Sequence, residues 1–346
     1  MVFAGDIALP SRDALHLVGV PAELAAAGWY ANLEGSLVES GDAARRACVF
    51  NHVDALRAVR REVNLRGVSL ANNHVFDAAP LAQTEQRLAT LGIAGNGAGA
   101  NLAAASRPLL LDDAGCTVMV LSFGWRVIRC KTAGRQSEGV NPLTTNHVLE
   151  TFDRYSSQFT SARKVVYFHW GYELDNAPQP AHRDLAFRLV EMGADAVIGA
   201  HAHLVQGGEL YRGKPILYGL GNFLFAQGVF HGGVVRHPAG TDLGIVFETD
   251  LAGTHRIHTL RQDREQGTVV HRGAEAFSEC RLLLDRTPYA GASSLEYARW
   301  FERNRTKRRG LPVYYSTDHP GMTALKDSVV WTRDLAIRAM RVLRLR

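Results

Sequence analysis

Gly193-Ala-Asp-Ala-Val-Ile-Gly-Ala-His201-Ala-His203 is an apolar stretch that runs straight into two histidines one residue apart. On an extended backbone successive side chains point to opposite faces, so the pattern predicts that His201 and His203 project the same way and reach one metal centre. Upstream, residues 181–192 (AHRDLAFRLVEM) place Leu185, Leu189 and Met192 at helical spacing, and Gly193 is positioned to stop the helix. Helix, glycine and buried strand make an αβ unit. In open α/β sheets ligands bind beyond the carboxyl ends of strands, which is where the two histidines stand.

The same arrangement recurs along the chain. The apolar start, residues 1–4, delivers Asp6, and the extended stretch 29–33 delivers Glu34. A strand from Gly67 ends in Asn72-Asn73-His74, with Asp77 three residues on, and residues 165–169 end in His169, with Glu173 just beyond. Asparagine has weak strand propensity, so two in a row before a histidine mark a loop set apart from its strand. A single carboxylate after a strand is as readily a turn or cap residue. An ordered series of strand ends carrying Asp6, Glu34, Asn73 with His74, His169, and His201 with His203 points instead to one shared metal site. Residues 117–123 and 215–219 read as further strands, and 21–28, 43–63 and 81–91 as helices. The helix over 43–63 carries the apolar stripe Val49, Val53, Leu56, Val59 and Val63. The glycine-rich run 92–99 matches no phosphate-binding loop and reads as a connection.

Past about residue 250 the ligand-bearing strand ends stop. Residues 254–260 and 268–271 read as edge strands. A helix from Ser294 runs into the basic stretch 303–309, and 323–346 reads as a last helix, with Val330, Ile337, Met340 and Leu343 set among arginines. That gives two regions, 1–250 and a helical extension over 251–346. The final helix is expected to be an interaction surface, either docked on the body or lying on an anionic membrane.

Composition limits the function classes. The 346 residues are 46% hydrophobic and 21% charged with a net charge of +5, an ordinary globular balance. Cys48, Cys116, Cys130 and Cys280 form no C-x-x-C pair, which argues against a disulfide framework or thiolate zinc site. No apolar run approaches the roughly 20 residues of a membrane span, and the first residues lack the features of a signal peptide. The expectation is a cytoplasmic protein, peripheral at the inner membrane face if the last helix binds lipid. The basic tail lacks base-stacking motifs, so no specific nucleic-acid binding is expected.

With these residues in view, the chain resembles the CapA family of capsule and poly-γ-glutamate synthesis proteins, relatives of the calcineurin-like metallophosphoesterases. The motifs that carry the resemblance are Gly5-Asp6, Asn32-Leu33-Glu34, Ala71-Asn-Asn-His-Val-Phe-Asp77, His169-Trp-Gly-Tyr-Glu173, the stretch from Gly193 to His203, and Leu220-Gly-Asn-Phe223. The resemblance implies a four-layer αββα sandwich with two divalent metal ions (Mn, Fe, Zn or Co) at the sheet ends. It implies Asp6 and His203 on one metal, Glu34 bridging, and Asn73, His169 and His201 on the second. His74 would serve as acid or transition-state stabiliser, and Asp77 and Glu173 as orienting or acid–base groups, with plain capping as their alternative role. Imidazole, amide and carboxylate ligands without sulfur suit such metals. Two departures stand out. Ala8 occupies the place of the histidine in the superfamily's D-x-H, and Gly219 replaces a serine usual before L-G-N-F.

The expected activity is that of a metal-dependent hydrolase or transferase on a phosphoester, amide or γ-glutamyl-type bond. Its substrate would be a small molecule or polymer bearing phosphate or carboxylate groups. The competing expectation is a non-catalytic accessory subunit of a cell-envelope polymer synthase, which Ala8 favours.

Overall fold

A computed structural model describes residues 1–12, 15–39, 49–226, 228–230, 233–235, 238–305 and 310–342. In chain order, the strands of its two main sheets are β1 (Val2–Ala8), β2 (His16–Val18), β3 (Trp29–Leu33), β4 (Leu65–Ser69), β5 (Ala94–Asn96), β6 (Leu109–Asp113), β7 (Cys116–Gly124) and β8 (Arg163–His169). They continue with β9 (Ala196–Ala200), β10 (Val205–Tyr211), β11 (Lys214–Leu220), β12 (Asn222–Phe225), β13 (Leu243–Thr249), β14 (His255–Asp263) and β15 (Thr268–Ala276). The helices that matter here are α1 (Ala22–Ala26), α2 (Val53–Glu62), α3 (Leu81–Thr90), α4 (Thr145–Gln158), α5 (Pro180–Glu191), α6 (Ser294–Asn304) and α7 (Met322–Val342).

Among the described residues, one nine-stranded sheet runs β2-β15-β14-β13-β1-β3-β4-β5, with β12 also paired to β1, and a six-stranded sheet runs β10-β11-β9-β8-β7-β6. Strands β1, β3, β4 and β5 are parallel, as are β7, β8, β9 and β11. Their carboxyl ends therefore lie at one edge of each sheet.

Alternation along these strands builds the layers. Phe3, Tyr30, Val118, Val120, Val165, Tyr167 and Ile198 fill the space between the sheets. Their neighbours Val2, Ala4, Trp29, Ala31, Met119, Leu121, Val166 and Phe168 belong to the core shared with the helices, which contribute Leu56 and Val59 of α2, Leu88 of α3, Phe152 of α4 and Leu185 and Leu189 of α5. A period-2 split of this kind is what a sheet buried on both faces requires. The sheets are also tied by polar contacts. The Tyr167 hydroxyl donates to the Ala4 carbonyl at 2.8 Å, and the Tyr30 hydroxyl lies 2.7 Å from Ser122 Oγ. The result is the expected αββα sandwich.

The C-terminal region is fastened by a buried ion pair. Arg183 on α5 is fully buried and bidentate to Glu209 on β10, at 2.7 and 2.8 Å. Tyr218 and the Gly291 backbone also donate to Glu209, and Arg183 donates to the Ala292 carbonyl. Tyr297 of α6 lies against the guanidinium at 4.7 Å.

Several boundaries differ from the sequence reading. Asp6 lies inside β1, because that strand continues to Ala8 by pairing with β3 and, after a register shift, with β12. The helix expected over 43–63 begins only at Val53. Phe50–His52 instead pair with Ser36–Val38, and the His52 ring accepts from the Asp54 amide to cap the helix. Residues 43–48 lie outside the described residues. The two expected edge strands are internal to the sheet: β14 sits between β13 and β15, and β15 is covered by β2. The first sheet thus crosses residue 250 without interruption. The helix from Ser294 ends at Asn304, while 306–309 and 343–346 lie outside the described residues.

Candidate metal centre

The site forms at the carboxyl ends of the parallel strands. Asp6, Glu34 and His203 are all buried, and each offers a ligand atom within 4.8 Å of the others. His203 faces both carboxylates, with Nδ1 3.4 Å from Asp6 Oδ2 and Nε2 3.7 Å from Glu34 Oε1. Beside this group Asn73 Oδ1 and His201 Nδ1 lie 2.9 and 3.0 Å from His169 Nε2, and the His201 amide donates to Asp6 Oδ2 at 3.3 Å. The six expected ligand positions therefore converge.

The geometry of the two histidines departs from expectation. Strand β9 stops at Ala200, and His201 and His203 both have positive φ, 92° and 56°. They are not successive same-face residues of a strand. The chain coils, sending His201 toward His169 and His203 toward Asp6 and Glu34. A left-handed conformation at two non-glycine residues costs about 1–3 kcal/mol each and clusters at functional sites. An apolar run in the sequence shows that a strand exists but not where it ends.

His74, like Asn73, is partly exposed. Its Nδ1 lies 2.7 Å from Asp77 Oδ2 and its Nε2 3.8 Å from Glu34 Oε1, so Asp77 aims the other ring nitrogen at the cluster. Burial pulls the His74 pKa down, but the Asp77 hydrogen bond and the Glu34, Asp77 and Glu173 carboxylates outweigh it and hold the imidazole above its usual value. Glu173 is exposed at the rim, and its charge is felt by Glu34, His74 and His203.

Three amides missing from the sequence-derived set hold the group in place. Asn32 Nδ2 donates to Asp6 Oδ1 at 2.8 Å, and Asn72 Nδ2 lies 3.2 Å from Asn32 Oδ1. Asn222 Nδ2 donates to the Thr241 carbonyl, which leaves Oδ1 facing His203 Nδ1 at 2.9 Å. That contact assigns the proton of neutral His203 to Nδ1 and leaves Nε2 for a cation. All three belong to the motifs quoted above, and their signal is an asparagine adjoining a ligand or closing a strand. The glycines have an equally local cause. A Cβ on Gly5 would sit 1.9 Å from the Gly221 carbonyl oxygen, the group that accepts the Asp6 amide hydrogen bond.

Whether this donor set suits metal ions can be read from its polar atoms. Glu34 Oε2 and His169 Nδ1 are buried without hydrogen-bond partners. Two buried carboxylates face imidazoles, and around His169 Nε2 two further lone-pair atoms crowd to within about hydrogen-bond range where one proton cannot satisfy both. This fits divalent cations. Asp6, Glu34 and His203 would hold one, and Asn73, His169 and His201, with Glu34 shared, a second. Ala8 offers no ligand: it is buried with Val49 and Phe225.

Burial pushes the Glu34 carboxyl up to about 7. Burial also works against a charged His203, but the Glu34 and Asp6 carboxylates outweigh it and raise its pKa to about 10. At pH 8 a cation must therefore displace the proton on His203, and near pH 6 the one on Glu34 as well. Zinc or manganese binding is expected to release about one proton at pH 8 and more at pH 6, tightening as pH rises. Calorimetry in buffers of different ionisation enthalpy measures this release, and a value near zero at both pH values would remove His203 and Glu34 from the ligand set.

Comparison with known proteins follows the same motifs. A family model described as "Bacterial capsule synthesis protein PGA_cap" matches residues 20–227. The chain belongs to this family. The match takes in every candidate metal ligand except Asp6, together with His74, Asp77 and Glu173. The capsule biosynthesis protein CapA of Bacillus anthracis is 29% identical over 179 residues, covering 51% of this chain and 43% of that protein. The PGA biosynthesis protein CapA of Bacillus subtilis is 30% identical over 173 residues, 49% of this chain and 45% of that one. A probable polyglutamine synthesis accessory protein of Mycobacterium tuberculosis is 33% identical over 207 residues, 55% and 53% of the two chains. The chain thus spans about half the length of the curated relatives it matches. Among solved structures, a hypothetical protein from Thermus thermophilus superposes with a TM-score of 0.44 at 13% identity, covering 80% of this chain and 96% of that one. A 5'-nucleotidase precursor from the same organism gives 0.36 at 14%, covering 67% and 45%.

Proposed function

We propose that this PGA_cap family member is a metal-dependent hydrolase or transferase acting on a phosphoester, amide or γ-glutamyl-type bond during the making or trimming of a polyanionic cell-envelope polymer. The observation that carries the reading is the convergence of two buried carboxylates, three buried imidazoles and an asparagine at one sheet edge, with an Asp77-oriented His74 beside them. Bound divalent ions would supply an activated water and polarise the scissile oxygen. The chain's own residues supply the rest. His74, oriented by Asp77 and with its pKa raised by the surrounding carboxylates, is placed to give a proton to the leaving group, and Asn32 and Asn222 fix the ligands against rotation. Glu173 at the rim offers a second carboxyl for proton transfer with solvent.

A second reading is favoured by Ala8 and by the word "accessory" in the name of the mycobacterial relative: the fold would serve a polymer synthase as a docking subunit without turnover. Metal analysis of the purified protein, paired with assays on a phosphodiester and on γ-glutamyl oligomers, separates the two. The hydrolase reading expects bound metal and turnover abolished by a chelator. Metal without turnover on either substrate class would give the site to the accessory role.

A further inference from the structure

Helix α7 is docked the wrong way round for an ordinary terminal helix. Amphipathic helices of soluble proteins bury their apolar stripe and expose the polar one. Here the side against the body carries two carboxylates, Asp327 and Asp334, beside Thr323 and Val330, and Trp331 stacks on Arg126. Asp327 is 1% exposed, and it takes a 3.1 Å contact from Arg126, 3.0 Å from the Tyr314 hydroxyl and 3.3 Å from His319. Further along the helix, Arg129 binds Asp334 at 2.9 Å. Val330, between these two, is the large apolar residue of the helix that enters the core.

The opposite side is apolar and exposed. Met322, Leu325, Val329 and Met340 follow one stripe at helical spacing with Leu335 on its flank, and they are 66%, 60%, 47%, 37% and 67% exposed. Of the apolar residues that the sequence sets beside Val330, Ile337 is half-buried and Met340 is exposed. An exposed apolar row this regular marks an interaction surface.

Charge decides what it meets. From Arg333 to the last residue the sequence carries arginines at 333, 338, 341, 344 and 346, and its one carboxylate, Asp334, is already bound to Arg129. A second copy of this chain would carry the same positive excess and is disfavoured as the partner by like-charge repulsion. An anionic bilayer surface answers both the apolar row and the positive charge. Among the described residues no helix is long and apolar enough to cross a membrane, so the helix would lie in the plane of the headgroups.

The geometry points to α7 as a lipid-binding element that holds this protein on an anionic membrane surface by its Met322–Met340 stripe. The helix also contacts the 126–129 turn, and the adjoining Trp125 amide donates to the His169 carbonyl. Binding through α7 would thereby bring the metal-centre side of the sandwich toward the membrane.

The test uses the intact chain and vesicles of phosphatidylcholine with or without phosphatidylglycerol, at 0.1 and 0.5 M salt. Sedimentation with the anionic vesicles at low salt is expected, weakening by about fivefold per arginine contact screened. Leu325→Ser with Val329→Ser, both at exposed positions, should keep the thermal transition of the parent while lowering partition at least about tenfold. Absence of binding by the intact chain at low salt, or equal binding by the double variant, overturns the proposal. Concentration-dependent dimerisation that the double variant abolishes, with vesicles ignored, overturns it in favour of a second copy.

Discussion

His201→Ala is expected to lose bound metal and turnover together, whereas His74→Ala keeps nearly all its metal and loses turnover by roughly 100-fold or more. The difference follows from position. His201 is buried against His169 and Asp6, where its ring belongs to the cluster itself. His74 stands at the partly exposed side with Asp77 behind it, and a general acid acts only once the cation and substrate are in place. Metal content by emission spectroscopy beside the hydrolysis rate distinguishes the two defects. Equal metal loss in both variants would make His74 a ligand or a fold residue. Undiminished activity in both would take the reaction away from this site.

The second large effect concerns stability. Arg183→Ala is expected to cost about 3–5 kcal/mol, because it strands Glu209 in the interior after removing a bidentate partner. Arg183→Lys should recover only part of this, since an ammonium cannot reproduce the planar fork. Urea unfolding monitored by tryptophan fluorescence gives the difference, and metal content should be unchanged because the pair lies outside the cluster. A loss under about 1 kcal/mol would mean that the pair contributes little to holding α5, β10 and the segment before α6 together.

Much of this architecture is legible in the residues. Buried parallel strands read as continuous apolar runs, and a polar residue that ends such a run has few structural reasons to be there, so Glu34, Asn73, His169, His201 and His203 stand out together. What stays hidden has physical causes. The stripe Val49, Val53, Leu56, Val59, Val63 keeps helical spacing across a stretch that is not helical, since periodicity records burial and Val49 is buried with Ala8 and Phe225 instead. Asn32 and Asn222 do not stand out because asparagine is common in turns, and only the fold reveals amides wedged between ligands. For α7 the spacing exposes a stripe but not its direction. That is decided by Asp327 and Asp334 meeting Arg126 and Arg129, residues some two hundred positions earlier in the chain.

The place of β1 bears on how the molecule is made. This strand carries Asp6 and pairs on one side with β3, which follows it almost at once, and on the other with β13, from the far end of the sandwich. Neither β1 nor β13 falls within the span that the family model matches. A gene trimmed to that span would encode a sheet without its central strand. On the ribosome, at roughly 5–20 residues per second, β1 emerges more than about ten seconds before β13 exists to cover its open edge. The nascent chain therefore carries β1 with one edge open until that partner is made, and its metal-binding pocket can close only after Asn222, which faces His203, has been synthesised.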